Sequence, residues 1–241
     1  VLAGPSCVGK SPLDKALKRF YPELKASMRP VVLYNDRAPR PGEVDGVDYH
    51  FRDRESIRAL EGRENHVVMD VRGDLQALDI DALRRDLEAG DVFFEGNPFV
   101  GSRLISDSAL ADVSRVGVFM APLSRDEILY LRKTAGDAAL PGIVTDVMRR
   151  KLLRRTRRQK SELSLKDLEN IETRAGSAYG ELKMACAFDA VLPNHDGEDS
   201  ENWDAFYYPL GDARFSLNAF VALLNGETAE FAETWEAGLV P

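Results

Sequence analysis

Residues 4 to 11 read Gly4-Pro5-Ser6-Cys7-Val8-Gly9-Lys10-Ser11, which fits G-x-x-x-x-G-K-[ST]. In that pattern the glycines let successive backbone N–H groups turn towards one phosphate, and the following helix N-terminus adds partial positive charge. Lys10 reaches the β/γ oxygens and Ser11 offers a hydroxyl to Mg²⁺. The context is the required one. Val1 to Ala3 reads as the end of a buried strand, and Lys10 to Phe20 as a helix with Leu13, Leu17 and Phe20 at i, i+4 and i+7. Pro12 falls in its first turn, where a missing N–H costs nothing. Gly4, Ser6, Cys7, Val8, Gly9, Lys10 and Ser11 are therefore the expected donor-phosphate residues. For Cys7 there is a second reading, a thiol switch whose pKa the helix N-terminus lowers.

Working outward, strands are expected at 30–34, 47–51, 66–71, 91–96, 115–122 and 188–194. Helices are expected near 53–61, 79–89, 101–111, from Ser124 with a Ser124/Glu127 capping box, and over 164–186. The tail carries helical expectations at 213–225 and 227–237. Strands alternating with helices imply an α/β fold with a mostly parallel sheet covered on both faces.

Bulk properties narrow the function. The 241 residues hold 32 Lys and Arg against 40 Asp and Glu, a net charge of −8, so the chain as a whole is not built to coat nucleic acid or an anionic membrane. No apolar run or leader pattern predicts a membrane segment, and two cysteines predict no disulfide framework, which together point to the cytoplasm. His50, His66 and His195 show no metal-ligand spacing.

Arg37 and Arg40 lie three apart on a proline-stiffened loop, with Glu43 close by and Tyr49 downstream. Two guanidinium forks held this way suit a second phosphate; a solvated loop paired with its own carboxylates fits the composition equally well.

The stretch Arg37-Ala-Pro-Arg40-Pro-Gly-Glu43-Val-Asp-Gly-Val-Asp-Tyr49-His-Phe51, together with residues 4 to 11, resembles the guanylate kinase family. Its acceptor segment reads T-R-x-P-R-x-G-E-x-x-G-x-D-Y-x-F. Arg174-Ala-Gly-Ser-Ala-Tyr-Gly-Glu181-Leu182 and Phe188-Asp189-Ala-Val-Leu-Pro-Asn194 are similar to the family's segments R-L-x-x-A-x-x-E-L and F-D-x-x-I-x-N. The resemblance covers most of residues 1 to 194. It implies a P-loop kinase fold in a single domain, with an acceptor-binding subdomain at 34–78 and an enlarged helical lid at 123–178 that contains a basic insertion, 137–168. Residues 196–241 form a C-terminal extension. It also implies Mg-ATP-dependent phosphoryl transfer to a nucleoside monophosphate, GMP or dGMP by default. Arg37, Arg40 and Tyr49 would hold the acceptor phosphate and Glu43 would support the arginines. Arg174 would approach the transferring group; Arg132 would compensate for a lid arginine replaced by Ala135. Glu95 would serve the metal with Ser11.

The family's guanine-reading Ser and Glu align with Leu33 and Val67, and its phosphate-binding Tyr with Leu75. The resemblance thus retains the phosphate half of the acceptor site and not the base half, so altered base specificity is expected; the alternative is that Asp70 or Asp74 takes over base recognition after a register shift. A phosphorylated non-nucleotide acceptor and a non-catalytic guanylate-kinase-like binding module are the alternatives, and the intact phosphate loop favours an enzyme. Met148 to Lys160 holds eight basic residues with Val147, Leu152 and Leu153 as its apolar contacts. It reads as a solvated helix, a source of arginines for a phosphorylated substrate, or a nucleic-acid contact, the last disfavoured by the lack of interleaved aromatics.

Overall fold

The computed structural model describes residues 1–40 and 42–241. In chain order its elements are β1 (Leu2–Ala3), α1 (Lys10–Phe20), α2 (Pro22–Ala26), β2 (Met28–Pro30), β3 (Leu33–Asn35), β4 (Tyr49–Phe51), α3 (Arg54–Arg58), β5 (His66–Val71), β6 (Asp74–Asp79), α4 (Ile80–Glu88), β7 (Asp91–Phe93) and β8 (Glu95–Gly96). There follow α5 (Pro98–Ser106), β9 (Val118–Ala121), α6 (Arg125–Ala135), α7 (Leu140–Gln159), α8 (Leu165–Leu182), β10 (Ala190–Pro193) and α9 (Gly211–Leu224). They fall into two compact units, Glu23–Phe94 and the remainder.

The larger unit carries a parallel sheet ordered β10-β9-β1-β8. Its central strands are apolar on both faces, and Leu2, Val118, Phe119, Met120, Val191 and Leu192 have no exposed surface, as a strand covered by helices on both sides requires. Ser124 caps α6 as expected: its hydroxyl accepts from the Glu127 N–H while the Glu127 carboxylate accepts from the Ser124 N–H.

Helices α6 to α8 join the same apolar core as the sheet. Leu140, Val144, Met148 and Leu152 recur every four residues along α7 and are fully buried. That stripe corrects the reading of the basic segment as a helix with few apolar contacts, because the four-residue period begins before the charged run does. A second correction concerns the tail. No helix forms at 227–237; Glu233 instead pairs with Val191 as an antiparallel bridge, and Trp235, Leu239 and Val240 are buried in the core.

The smaller unit holds a mixed sheet ordered β4-β3-β6-β5, in which β3 pairs parallel with β4 and β6 pairs antiparallel with both its neighbours. β6 is a strand where the sequence reading placed no element. The expected strand at 30–34 is two short strands, and the one at 91–96 divides into β7, paired with β2, and β8, paired with β1. Face assignments in the mixed sheet follow from alternation. Tyr34 packs with Ile57, Leu75 and Ala77 on one face. Leu33, Asn35, Tyr49, Phe51, Asp74, Gln76, Leu78, Met69 and Val67 therefore share the other.

Candidate active site

The donor end lies between β1 and α1. Gly9 has φ 111° and a Cβ there would overlap Asn194 Nδ2, so only glycine fits the turn into the helix. Lys10 is nearly buried, and its Nζ spans the loop to donate to the Gly4 and Pro5 carbonyls at 2.8 Å each. A cation so held faces the loop's interior, where a donor's phosphates would replace part of its hydrogen bonding. The parallel pairing of β8 with β1 brings Glu95 beside α1, and Ser11 Oγ donates to Glu95 Oε1 at 3.3 Å. Burial raises the Glu95 pKa, with the Lys10 charge acting against it. A hydroxyl and a half-buried carboxylate on adjacent elements are hard oxygen donors of the kind Mg²⁺ takes alongside phosphate oxygens and water, so the residues present fit that ion.

Cys7 is fully buried at φ 70°. Burial, with the negative charges of Glu198 and Asp199, pushes its thiol up to about 12. This overturns the thiol-switch reading: desolvation of the thiolate outweighs the pull of the helix N-terminus.

In the smaller unit, Arg37 and Glu43 form a forked pair of 2.6 and 2.7 Å hydrogen bonds, and the Arg40 N–H donates to Glu43 Oε2 at 2.7 Å. The Arg37 guanidinium stacks over the Tyr49 and Phe51 rings, 5.0 and 5.5 Å from their centroids. Burial opposes the Glu43 charge, but the bonds from Arg37 and the Arg40 backbone outweigh it and hold its pKa below the usual value. Arg40 itself is exposed. The loop thus presents one braced guanidinium and a second, exposed arginine beside an aromatic ring, residue types suited to a phosphate monoester.

Alternation settles the other side chains considered for this site. Leu75 packs with Ile57 on the opposite face; Asp74 and Gln76 occupy the Arg37 face. Asp70 accepts the Gly73 N–H at 2.8 Å in the β5–β6 turn and is exposed, so it is a turn residue. Leu33 and Val67 do share the Arg37 face, and Leu78 lies directly opposite Val67.

Arg174 is half-buried on α8. Arg132 is committed elsewhere: it pairs with Asp137 at 2.8 Å and donates to the Gly238 and Leu239 carbonyls at 3.0 Å each. The basic helix has partners too. Arg154 donates to Asp199 and Arg155 to Glu198, both at 2.7 Å, while Lys151 donates to the His195 carbonyl. Sequence reasoning missed the role of the acidic loop 194–202 as partner to α7. Complementary charge in two runs some forty residues apart was the signal available.

The guanylate kinase family model matches residues 1–74. A guanylate kinase from Cereibacter sphaeroides is 32% identical over 233 residues, 94% of this chain and 94% of that protein. One from Rhodococcus jostii is 32% identical over 199 residues, 81% of this chain and 79% of that protein. A solved guanylate kinase from Anaplasma phagocytophilum has a TM-score of 0.49 at 18% identity, with 93% of this chain and 82% of that chain covered.

Proposed function

The chain belongs to the guanylate kinase family and is an ATP-dependent nucleoside monophosphate kinase; on that premise we propose that it transfers the γ-phosphoryl group of ATP to GMP. The single observation that carries this is the pairing of an intact phosphate loop, with Lys10 held inside it, with a braced arginine loop in the same chain. An oxygen of the acceptor phosphate attacks the γ-phosphorus, the bond to the bridging oxygen breaks, and ADP leaves. Little covalent work falls to the protein, so positioning and charge neutralisation make the rate.

In this reading Lys10 and the loop amides of Gly4 to Ser11 take the donor phosphates. Arg37, Arg40 and Tyr49 take the acceptor phosphate, with Glu43 bracing Arg37, and Arg174 meets charge on the transferring group. Ser11 and Glu95 would hold Mg²⁺, which supplies charge neutralisation on the phosphate oxygens when bound. Arg132 is left out of the catalytic set, its donors being taken by the C-terminal segment. The cytoplasm is the proposed compartment, consistent with both cysteines being free; no helix among the described residues is long and apolar enough to cross a membrane.

One observation favours a second reading of base choice. Leu33, Val67 and Leu78 bring aliphatic side chains to the Arg37 face, which leaves Asn35, Asp74 and Gln76 as its polar groups, and a site rejects a base strongly only where its own polar groups would be left unpaired. The second reading is that these three groups give weaker discrimination among bases. Measuring ADP release with GMP, dGMP, AMP, CMP, UMP, dTMP and no acceptor tests both. Strong selectivity for GMP supports the first reading alone, comparable rates across several monophosphates support the second, and no acceptor-dependent turnover refutes both.

A further inference from the structure

A phosphate loop whose N–H groups turn inward must turn carbonyl oxygens outward, and buried carbonyls need donors. Lys10 supplies the Gly4 and Pro5 carbonyls from within the loop; the donors to the Cys7 and Val8 carbonyls come from one segment. Asn194 Nδ2 donates to the Val8 carbonyl at 2.7 Å, and the Glu198 N–H reaches the Cys7 carbonyl at 3.4 Å. Between them Gly197 lies so close that an added Cβ would overlap the Cys7 oxygen. Trp203 Nε1 donates to the Asp196 and Gly197 carbonyls at 2.7 and 3.2 Å and holds the segment's turn.

The segment is pinned in turn by α7. Lys151, 5% exposed, donates to the His195 carbonyl and lies 3.8 Å from Asp199 Oδ1. Arg154 and Arg155 bind Asp199 and Glu198. Among the described residues neither Arg155 Nε nor Asp199 Oδ1 has a hydrogen-bond partner. A buried ionic cluster left partly unsatisfied is a poor source of stability, so its place beside the phosphate loop calls for another account. Charge supplies one. Carboxylates next to an anion site would repel a polyphosphate, and the three cations that α7 sets against Glu198 and Asp199 offset that repulsion.

We propose that Lys151, Arg154 and Arg155 are positioning residues for the phosphoryl donor, acting through Glu198 and Asp199 to hold residues 194–198 against the outer carbonyls of the phosphate loop. The inference rests on the reading that this loop binds the donor's phosphates. The basic helix then acts on ATP at one remove, through the loop's shape and the local charge, without touching it.

The test is titration of each full-length variant with Mg-ATP in the absence of acceptor, alongside KM for ATP and for the acceptor. Lys151→Met and Gly197→Ala are each expected to weaken Mg-ATP binding by about tenfold or more, since small misplacements of a binding loop carry large factors. The acceptor KM should stay within about twofold, and Lys151→Arg should recover most of the loss. Should Lys151→Met cost the fold, Arg154→Gln, whose side chain is 60% exposed, removes one partner of the same carboxylate with little packing change and should weaken Mg-ATP binding in the same direction. Lowered thermal stability with unchanged Mg-ATP affinity would overturn the proposal, as would equal rises in both KM values. Lys10→Ala separates the two levels of inference: if it leaves Mg-ATP binding intact, the phosphate-loop reading fails; if it abolishes binding while the α7 variants do not weaken it, only the positioning role fails.

Discussion

Glu43 grips Arg37 with both carboxylate oxygens while its Oε2 also accepts the backbone N–H of Arg40, so one side chain ties the Arg37 guanidinium to the Arg40 backbone. Glu43→Gln keeps the shape and loses the charge and one acceptor. It is expected to raise the acceptor KM by about tenfold or more, the scale of a lost charge-assisted fork, with ATP KM within about twofold. Equal effects on both substrates in steady-state kinetics would refute the division into two phosphate sites.

Lys10→Ala removes the ammonium group from within the donor loop. The turnover rate should fall by about a thousandfold or more, the scale of losing one preorganised charge at a transferring phosphoryl group. Circular dichroism should show the fold retained. A variant that keeps the wild-type rate would sink the assignment.

Leu152→Ala tests the place of α7. The side chain is fully buried, so urea denaturation should show a loss of about 2–5 kcal/mol. A loss below about 0.5 kcal/mol is what a surface helix would give.

Arg132→Gln separates a structural arginine from a catalytic one. With its donors on Asp137 and two C-terminal carbonyls, the substitution should lower the melting temperature by about a few degrees. The turnover number should stay within about twofold of the wild type. A large fall in turnover at unchanged stability would return Arg132 to the catalytic set.

His195 bridges Glu127 of the α6 cap and Asp212 at the start of α9. Burial disfavours its charged form, but the bonds to Asp212 and Glu127 outweigh that and raise its pKa. Its contribution to stability is therefore complete below the unfolded value of about 6.5 and is lost as pH rises through the folded value. Denaturation midpoints of the wild type and His195→Asn should differ most at about pH 6 and converge towards about pH 9. A gap that widens with pH would contradict the assigned direction.

The elements legible in the sequence are those with local causes. Gly9, Lys10 and Ser11 mark a strand-to-helix turn by backbone conformation alone, α1 runs over the expected residues, and Ser124 with Glu127 form the expected cap. β6 was not legible, since Asp74-Leu-Gln-Ala-Leu-Asp79 becomes a strand by pairing with β3 and β5 on either side. The tail at 227–237 has helix-forming composition, yet burying Trp235 and Leu239 and pairing Glu233 with Val191 requires another path.

By itself the sequence determined the chemistry at each end of the proposed reaction, because a phosphate loop and a proline-braced arginine loop are each specified within a dozen or so residues by backbone conformation and side-chain type. Only the tertiary structure decided which charges meet. Lys151, Arg154 and Arg155 find their partners 43 to 45 residues away, and Ser11 finds Glu95 at a separation of 84. No local rule sets such pairings; they exist because parallel strands and packed helices bring distant segments of the chain to the same place.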